Sequence, residues 1–240
     1  MTANKLKLLA CLSMLIDHIT FIFVPRYTDI VTGTENIWWY IGRGLGRSAF
    51  IIFAFLLVEG FFLTKDLKKY VLRMLLFAVI AEAPFDLLSN GTLDESTWLS
   101  HQNVLILFVL GLILMYVILY IEKLFAEKSM PKYYILSACA CALFGLAAYF
   151  LRLDHGYPGL ILVLIFFFFR KSGKRLIIAV TVWAFICIPL GQMLEWAGLI
   201  ALIPITMYNG EKGKGSKWFF YIFYPAHMLV LGLIYVYLIK

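Results

Sequence analysis

Nine apolar stretches, parted by short polar breaks, constrain this chain more than any motif in it. They run Leu6–Val24, Ile37–Leu63, Tyr70–Leu88, Val104–Ile121, Tyr134–Leu151, Tyr157–Phe169, Leu176–Leu190, Gln192–Tyr208 and Trp218–Ile239. A helix rises about 1.5 Å per residue, so about 20 such residues cross a hydrocarbon layer roughly 30 Å thick. Of the 240 residues, 63% are hydrophobic and 15% charged, against about 45–50% and about 25% in soluble domains. That balance excludes a disordered chain, a coiled coil and an ordinary water-soluble globule. The expected fold is all-α: a polytopic transmembrane helical bundle of about nine spans, within roughly eight to ten, forming one domain over residues 1–240. The sixth to eighth stretches are short, and Pro189 with Gly191 allow a re-entrant turn there.

The formal charge of +7, from 21 Lys and Arg against 14 Asp and Glu, reads as topology. In a soluble chain it would suggest nucleic acid; here no nucleic-acid partner is expected. Alternate connections, starting with Lys5 and Lys7 and passing through Lys65–Arg73, Lys123–Lys132, Arg170–Arg175 and Lys212–Lys217, hold 16 basic residues; the intervening ones hold 5. The positive-inside rule then puts the N-terminus in the cytoplasm and the C-terminus outside. Asp17 and His18 interrupt the first stretch and no small-residue cleavage site follows, so it reads as a retained helix.

Cys11, Cys139, Cys141 and Cys187 all fall in apolar stretches and read as buried structural thiols. No metal-ligand spacing, Gly-rich phosphate loop or nucleophile elbow is present, so no metal is expected.

The informative residues are the ionisable ones inside apolar stretches, because such groups are costly in lipid and normally face a protein interior. Asp17 and His18 lie two-thirds along the first stretch. Arg43 and Arg47 lie in the second, with Glu59 near its far end. Glu82 and Asp86 flank Pro84 in the third, and His227 lies in the ninth. Arg43 and Arg47, like Glu82 and Asp86, are four apart and share a helix face, so the two pairs can neutralise one another as a structural network. Asp17 and His18 diverge by about 100° around a helix, so Asp17 points instead to Arg47 or Arg43. His18 then faces a pocket, with His227 a candidate neighbour. A neutral histidine there can accept a proton from an amine or hydroxyl, and a fixed arginine can stabilise an oxyanion. On the basic side, Tyr208-Asn209-Gly210-Glu211-Lys212-Gly213-Lys214-Gly215 offers backbone amides for a phosphate, or is a flexible loop.

These residues fall in stretches that resemble the TraX family, named for a membrane protein that acetylates the N-terminus of conjugative pilin. The matching stretches include Met14-Leu15-Ile16-Asp17-His18-Ile19, Gly46-Arg47-Ser48-Ala49-Phe50, Glu82-Ala83-Pro84-Phe85-Asp86, Gln102-Asn103-Val104, Tyr208-Asn209-Gly210-Glu211-Lys212-Gly213 and Phe223-Tyr224-Pro225-Ala226-His227. The family is similar in turn to a wider set of polytopic membrane acyltransferases. The resemblance implies a multi-pass protein of the bacterial cytoplasmic membrane that uses acetyl-CoA or another acyl-CoA as co-substrate. It implies His18, Arg47, Asp17, His227 and Glu82 as catalytic candidates. Arg43, Glu59, Asp86, Tyr208, Asn209, Lys212 and Tyr224 are candidates for substrate and donor binding. Ile51 stands where the family usually has proline, so a straighter second helix is expected. Asp154-His155-Gly156 fits the family pattern only loosely, which weakens any assignment to His155.

The leading expectation is acyl transfer, with acetyl the expected group, from cytosolic acyl-CoA to an amine or hydroxyl acceptor, such as a peptide N-terminus, a glycan or a small amine or alcohol. His18 would be the general base and Arg47 would stabilise the thioester or oxyanion. The alternative is a proton-coupled secondary transporter using the same His, Asp and Glu groups. A third reading is a non-catalytic membrane scaffold. Membrane lipid is a partner in all three.

Overall fold

The computed structural model describes residues 1–29, 33–93 and 100–239. The centre of the Ser89–Asn103 connection and Lys240 lie outside the described residues. The helices are α1 (Ala3–Phe23), α2 (Ile37–Leu63), α3 (Leu67–Asn90), α4 (Val104–Phe125), α5 (Met130–Phe150), α6 (Gly156–Phe169) and α7 (Lys174–Ile186). A 3-10 segment, Glu195–Ala201, runs directly into α8 (Leu202–Thr206). The last helix, α9 (Lys217–Ile234), continues as a π turn over Tyr235–Ile239. The apolar stretches thus correspond to helical segments, with α4 and α5 longer than expected.

Local chemistry sets the helix ends. Asn36, Asp66, Asn103 and Ser216 each accept a hydrogen bond from a first-turn amide, of Trp38, Lys69, Leu105 and Trp218 respectively. Gly91 closes α3 in the left-handed conformation at φ 67°. A small exposed hairpin, β1 (Tyr27–Asp29) against β2 (Thr34–Glu35), joins α1 to α2 and departs from the wholly helical expectation.

Among the described residues, five helical segments are long and apolar enough to cross a membrane: α1, α2, α4, α5 and Trp218–Tyr237 in the last helix. The expected nine is reduced on this measure for physical reasons. Helix α3 carries Glu82, Asp86 and a basic first turn, which lower its hydropathy. Helix α6 has only 14 residues. Glu195–Thr206 is part 3-10, and its 12 residues reach only about 20 Å. Helix α2 is uninterrupted at Ile51.

The core lies around α2. A side-chain carbon added at Gly42 would meet Thr20 at 2.1 Å, and one added at Gly46 would meet Asp17 at 2.3 Å. Two glycines four apart therefore form a notch that admits α1 against α2. On another face of α2, an added carbon at Gly198 would meet Ile51 at 2.9 Å and the Arg47 backbone at 3.0 Å. The 3-10 segment can approach there only because position 198 lacks a side chain. Behind α2, Leu107, Leu112, Met115, Leu162 and Phe166 are fully or almost fully buried. Helix α5 is outermost, burying only Ser137 and Ala148. Its Cys139 is exposed, contrary to the expectation of four buried thiols; Cys11 and Cys187 are buried.

Candidate functional site

A cavity of about 520 Å³ runs beside α2 and is lined by that helix from Arg43 to Thr64. Twenty-one residue steps of α-helix measure about 31 Å, close to the thickness of a hydrocarbon layer. Lys7, Thr64, Tyr70 and Arg73 line its basic end. Asp17, His18, Arg43 and Arg47 line it farther along, and His101, Asp154 and His155 line the opposite end. Between them the wall is apolar, with Met14, Phe53, Leu56, Leu57 and Met74.

His18 and His227 form a hydrogen-bonded pair with an assignable polarity. Nδ1 of His227 lies 2.7 Å from the Phe223 carbonyl oxygen. A carbonyl only accepts, so that Nδ1 carries a proton and, in the neutral ring, Nε2 carries a lone pair. Nε2 of His227 lies 2.8 Å from Nδ1 of His18, which therefore donates. Neutral His18 is left with an unprotonated Nε2, and this atom has no hydrogen-bond partner among the described residues. His227 stacks on Phe223, with ring centroids 4.7 Å apart, and does not itself line the cavity.

The two arginines of α2 take different partners. Nη1 of Arg43 lies 2.5 Å from Oδ2 of Asp17, across the glycine notch. Nη1 of Arg47 lies 3.6 Å from Oε1 of Glu195, at the head of the 3-10 segment. Glu195 is 2% exposed, and residues three apart on a 3-10 helix share a face, so Gly198 brings Glu195 down onto Arg47. The same Oε1 lies 3.3 Å from Nδ1 of His155, whose ring stacks on Phe50 with centroids 3.7 Å apart. His155 adopts φ 58° at the N-terminus of α6. Arg47, Glu195 and His155 thus meet from three distant parts of the chain. The alternative network of Arg43 and Arg47 with Glu82 and Asp86 does not form, because α1 and the 3-10 segment occupy the faces of α2 that carry the arginines; Asp17 meets Arg43, one of the two partners expected for it.

Glu195 and His155 were not among the sequence candidates. The signal for Glu195 was present: a carboxylate at the head of an apolar stretch. His155 stood out less, because its stretch fits the family pattern only loosely; its position depends on Phe50 and Glu195.

A second cavity, of about 740 Å³, opens beyond this cluster and is lined by Arg26, Trp39, Tyr40, Arg152, Gln192 and Glu195, among others. It shares Arg47, His101, Asp154 and His155 with the first. Its floor joins two connections, since the Gln102 amide donates to the Arg152 carbonyl at 3.0 Å and the Asp154 amide to the Gln102 carbonyl at 2.8 Å. Nε2 of His101 lies 3.5 Å from Oδ1 of Asp154. Burial raises the Asp154 carboxyl, but His155, His101 and Arg47 outweigh it and hold the group well below the usual carboxylate range. The hydrogen bond to Asp154 raises His101 above the ordinary imidazole value.

Of the remaining candidates, Tyr224 lines the first cavity, and the others do not. Glu82 is engaged by Asn103, which donates to it through both side chain and backbone while its Oδ1 caps α4. Asp86 is 1% exposed, and neither of its oxygens has a partner among the described residues. Glu59 pairs with Arg170 through two hydrogen bonds of 2.5 and 3.1 Å, and the guanidinium lies over Phe62. The loop around Tyr208, Asn209 and Lys212 clasps the start of α1. The Ala3 amide donates to the Glu211 carbonyl at 2.8 Å, the Asn4 amide to the Lys212 carbonyl at 3.0 Å, and the Asn209 amide to the Met1 carbonyl at 3.0 Å. Gly213, at φ 75°, passes so close to Thr2 that a side chain would collide with it. Two amides expected to face a phosphate, those of Asn209 and Glu211, are already engaged.

Among the described residues, no group of three or more His, Cys, Asp or Glu could hold a metal ion. The chain is 27% identical, over 96% of its own length and 94% of the other's, to a protein of Dichelobacter nodosus named "Probable fimbrial assembly protein FimC, serogroup H1". No solved structure matches. The family described as TraX protein matches residues 2–235, nearly the whole chain, and the protein belongs to the TraX family.

Proposed function

We propose that this protein is an acyltransferase of the bacterial cytoplasmic membrane, moving an acyl group, with acetyl the expected one, from acyl-CoA to an amine or hydroxyl. The observation that carries the reading is the unprotonated Nε2 of His18, in a cavity that Arg47 also lines and that is about as long as a bilayer is thick. The basic end, which we infer to be cytoplasmic, admits the donor; the opposite end and the second cavity admit the acceptor.

In the reaction, the acceptor nitrogen or oxygen attacks the thioester carbonyl carbon while its proton passes to Nε2 of His18. Negative charge collects on the carbonyl oxygen, where Arg47 stabilises it in surroundings of low polarity. The carbon–sulfur bond then breaks, and the thiolate leaves with the proton from His18. Glu195 and His155 orient Arg47, and His227 holds His18 in the required tautomer. Fimbrial assembly, which the name of the D. nodosus relative states, is one setting in which a protein chain would supply the acceptor.

Purified protein in detergent, incubated with labelled acetyl-CoA and a panel of amine and alcohol acceptors, tests the reading. Folded His18→Ala and Arg47→Ala variants should each lose about 10²- to 10⁴-fold in transfer rate. Full activity in both would exclude these roles. A cavity lined from both ends also suits a proton-coupled carrier, so uptake into proteoliposomes without any need for CoA would favour that alternative.

A further inference from the structure

The basic end of the first cavity holds two cations that lack an ion-pair partner among the described residues; Asp66, whose charge Arg73 feels, is paired with Lys69. Lys7 of α1 and Arg73 of α3 both line it, and neither forms an ion pair among the described residues. The carboxylates that line the cavity, Asp17 and Asp154, belong farther along, and Asp17 is taken by Arg43. Nε of Arg73 is buried without a hydrogen-bond partner. The Tyr221 hydroxyl accepts a hydrogen bond from the Arg73 guanidinium, but the buried Nε–H is left unbonded, which is costly and leaves it open to a further acceptor. Hydroxyl groups stand nearby: Tyr221, whose oxygen accepts from Arg73 and whose own proton stays free to donate, Tyr70 beside Arg73, and Thr64 on the same wall. Nζ of Lys7 is held over the Phe220 ring at 5.3 Å, which fixes the side chain at the mouth. Lys212, in the loop that clasps α1, adds to the positive field at Lys7.

Two cations, hydroxyl groups and no carboxylate in the lining at this end are the chemistry of a phosphate-ester site. We propose that Lys7 and Arg73 bind the phosphate groups of the donor at the mouth of the cavity. This assignment rests on the acyl-CoA reading above and replaces the glycine loop at Tyr208–Gly215 as the phosphate cradle, because two of that loop's amides are engaged with the chain itself. The distances agree. Eleven helical steps separate Lys7 from His18 on α1, about 16 Å along the axis. The pantetheine arm of CoA, equal in reach to roughly four to five extended residues, covers that interval. The wall it would pass, formed by Met14, Phe53, Leu56, Leu57 and Met74, is apolar and suits the arm's methyl and methylene groups. A phosphate at the mouth thus places the thioester at His18 and Arg47.

The test measures CoA binding to the purified full-length protein by equilibrium dialysis, for wild type, Lys7→Gln, Arg73→Gln and Arg73→Lys. Thermal melting of each variant reports folding, and native mass spectrometry reports retained phosphatidylglycerol. The expected result is at least tenfold weaker CoA binding in Lys7→Gln and Arg73→Gln, a smaller loss in Arg73→Lys, and unchanged melting. Equal CoA affinity in all four proteins overturns the phosphate site and leaves the acyl-CoA reading standing. If no protein binds CoA and the glutamine variants lose phosphatidylglycerol, the site serves a lipid headgroup, and both the assignment and the donor reading fall.

Discussion

Nδ1 of His18 lies 2.8 Å from Nε2 of His227, and this contact between α1 and α9, with the Phe223 carbonyl fixing the His227 tautomer, decides which nitrogen of His18 carries the proton. His227 acts through His18 and does not itself line the cavity. Glutamine at position 227 can still accept from Nδ1 of His18, whereas leucine cannot. His227→Leu should lower the acyl-transfer kcat by about 10- to 100-fold with little change in donor KM, and His227→Gln should recover most of it. Nitrogen-15 shifts of His18 should show Nε2 as the unprotonated nitrogen in wild type. Equal losses for both substitutions would show that His227 is needed only for packing.

The glycine notch predicts a steep packing effect. An alanine carbon at position 46 would overlap Asp17, so Gly46→Ala must push α1 away and lengthen the Asp17–Arg43 pair. Overpacking of this kind costs about 1–3 kcal/mol. At Gly44 the nearest atom to an added carbon is the Ala197 side chain at 3.0 Å, so Gly44→Ala should be milder. Thermal melts in detergent check the order; equal melting of the two variants contradicts the notch.

Glu195 holds Arg47 and His155 together although it lies outside the first cavity. Glu195→Gln keeps the size of the side chain and removes the charge that positions Arg47. The transfer rate should fall by about 10- to 100-fold, with donor KM nearly constant, and Glu195→Asp should be intermediate. A rise in KM alone would mean that Glu195 serves binding and does not position Arg47.

The His101–Asp154 pair, in the connections between helices, makes a pH prediction. The imidazole of His101 is raised, so its contribution to stability is present below its unfolded value of about 6.5 and is lost as pH rises through the folded value. Asp154 is depressed, so its contribution is present above about pH 3.9 and is lost as pH falls through the folded value. Both contributions are complete between about pH 4 and 6.5. Histidine NMR should show His101 titrating above the ordinary value, and Asp154→Asn should lower it. An unchanged His101 titration in that variant would remove Asp154 as the cause.

The amino-acid pattern alone determined the solvent of this chain and the order of its parts. Apolar runs long enough for a bilayer, broken by residues such as Asn36, Asp66, Asn103 and Ser216 that cap helices, depend only on local chemistry. So do the basic connections and the few ionisable groups within apolar stretches, and Asp17 with His18 stood out for that reason. The spacing of Gly42 and Gly46 was not read as a packing face; only the approach of α1 showed it to be a notch. Tertiary structure decided the pairings. Arg47 meets Glu195 because Gly198 lets a 3-10 segment touch α2, and Arg43 meets Asp17 because the notch admits α1. Glu82 turns to Asn103, away from the arginines. An ion pair forms over a few ångströms between residues that can be far apart in the chain, so its partner depends on which helix packs where. Periodicity states which face of a helix is charged; only packing states what that face meets.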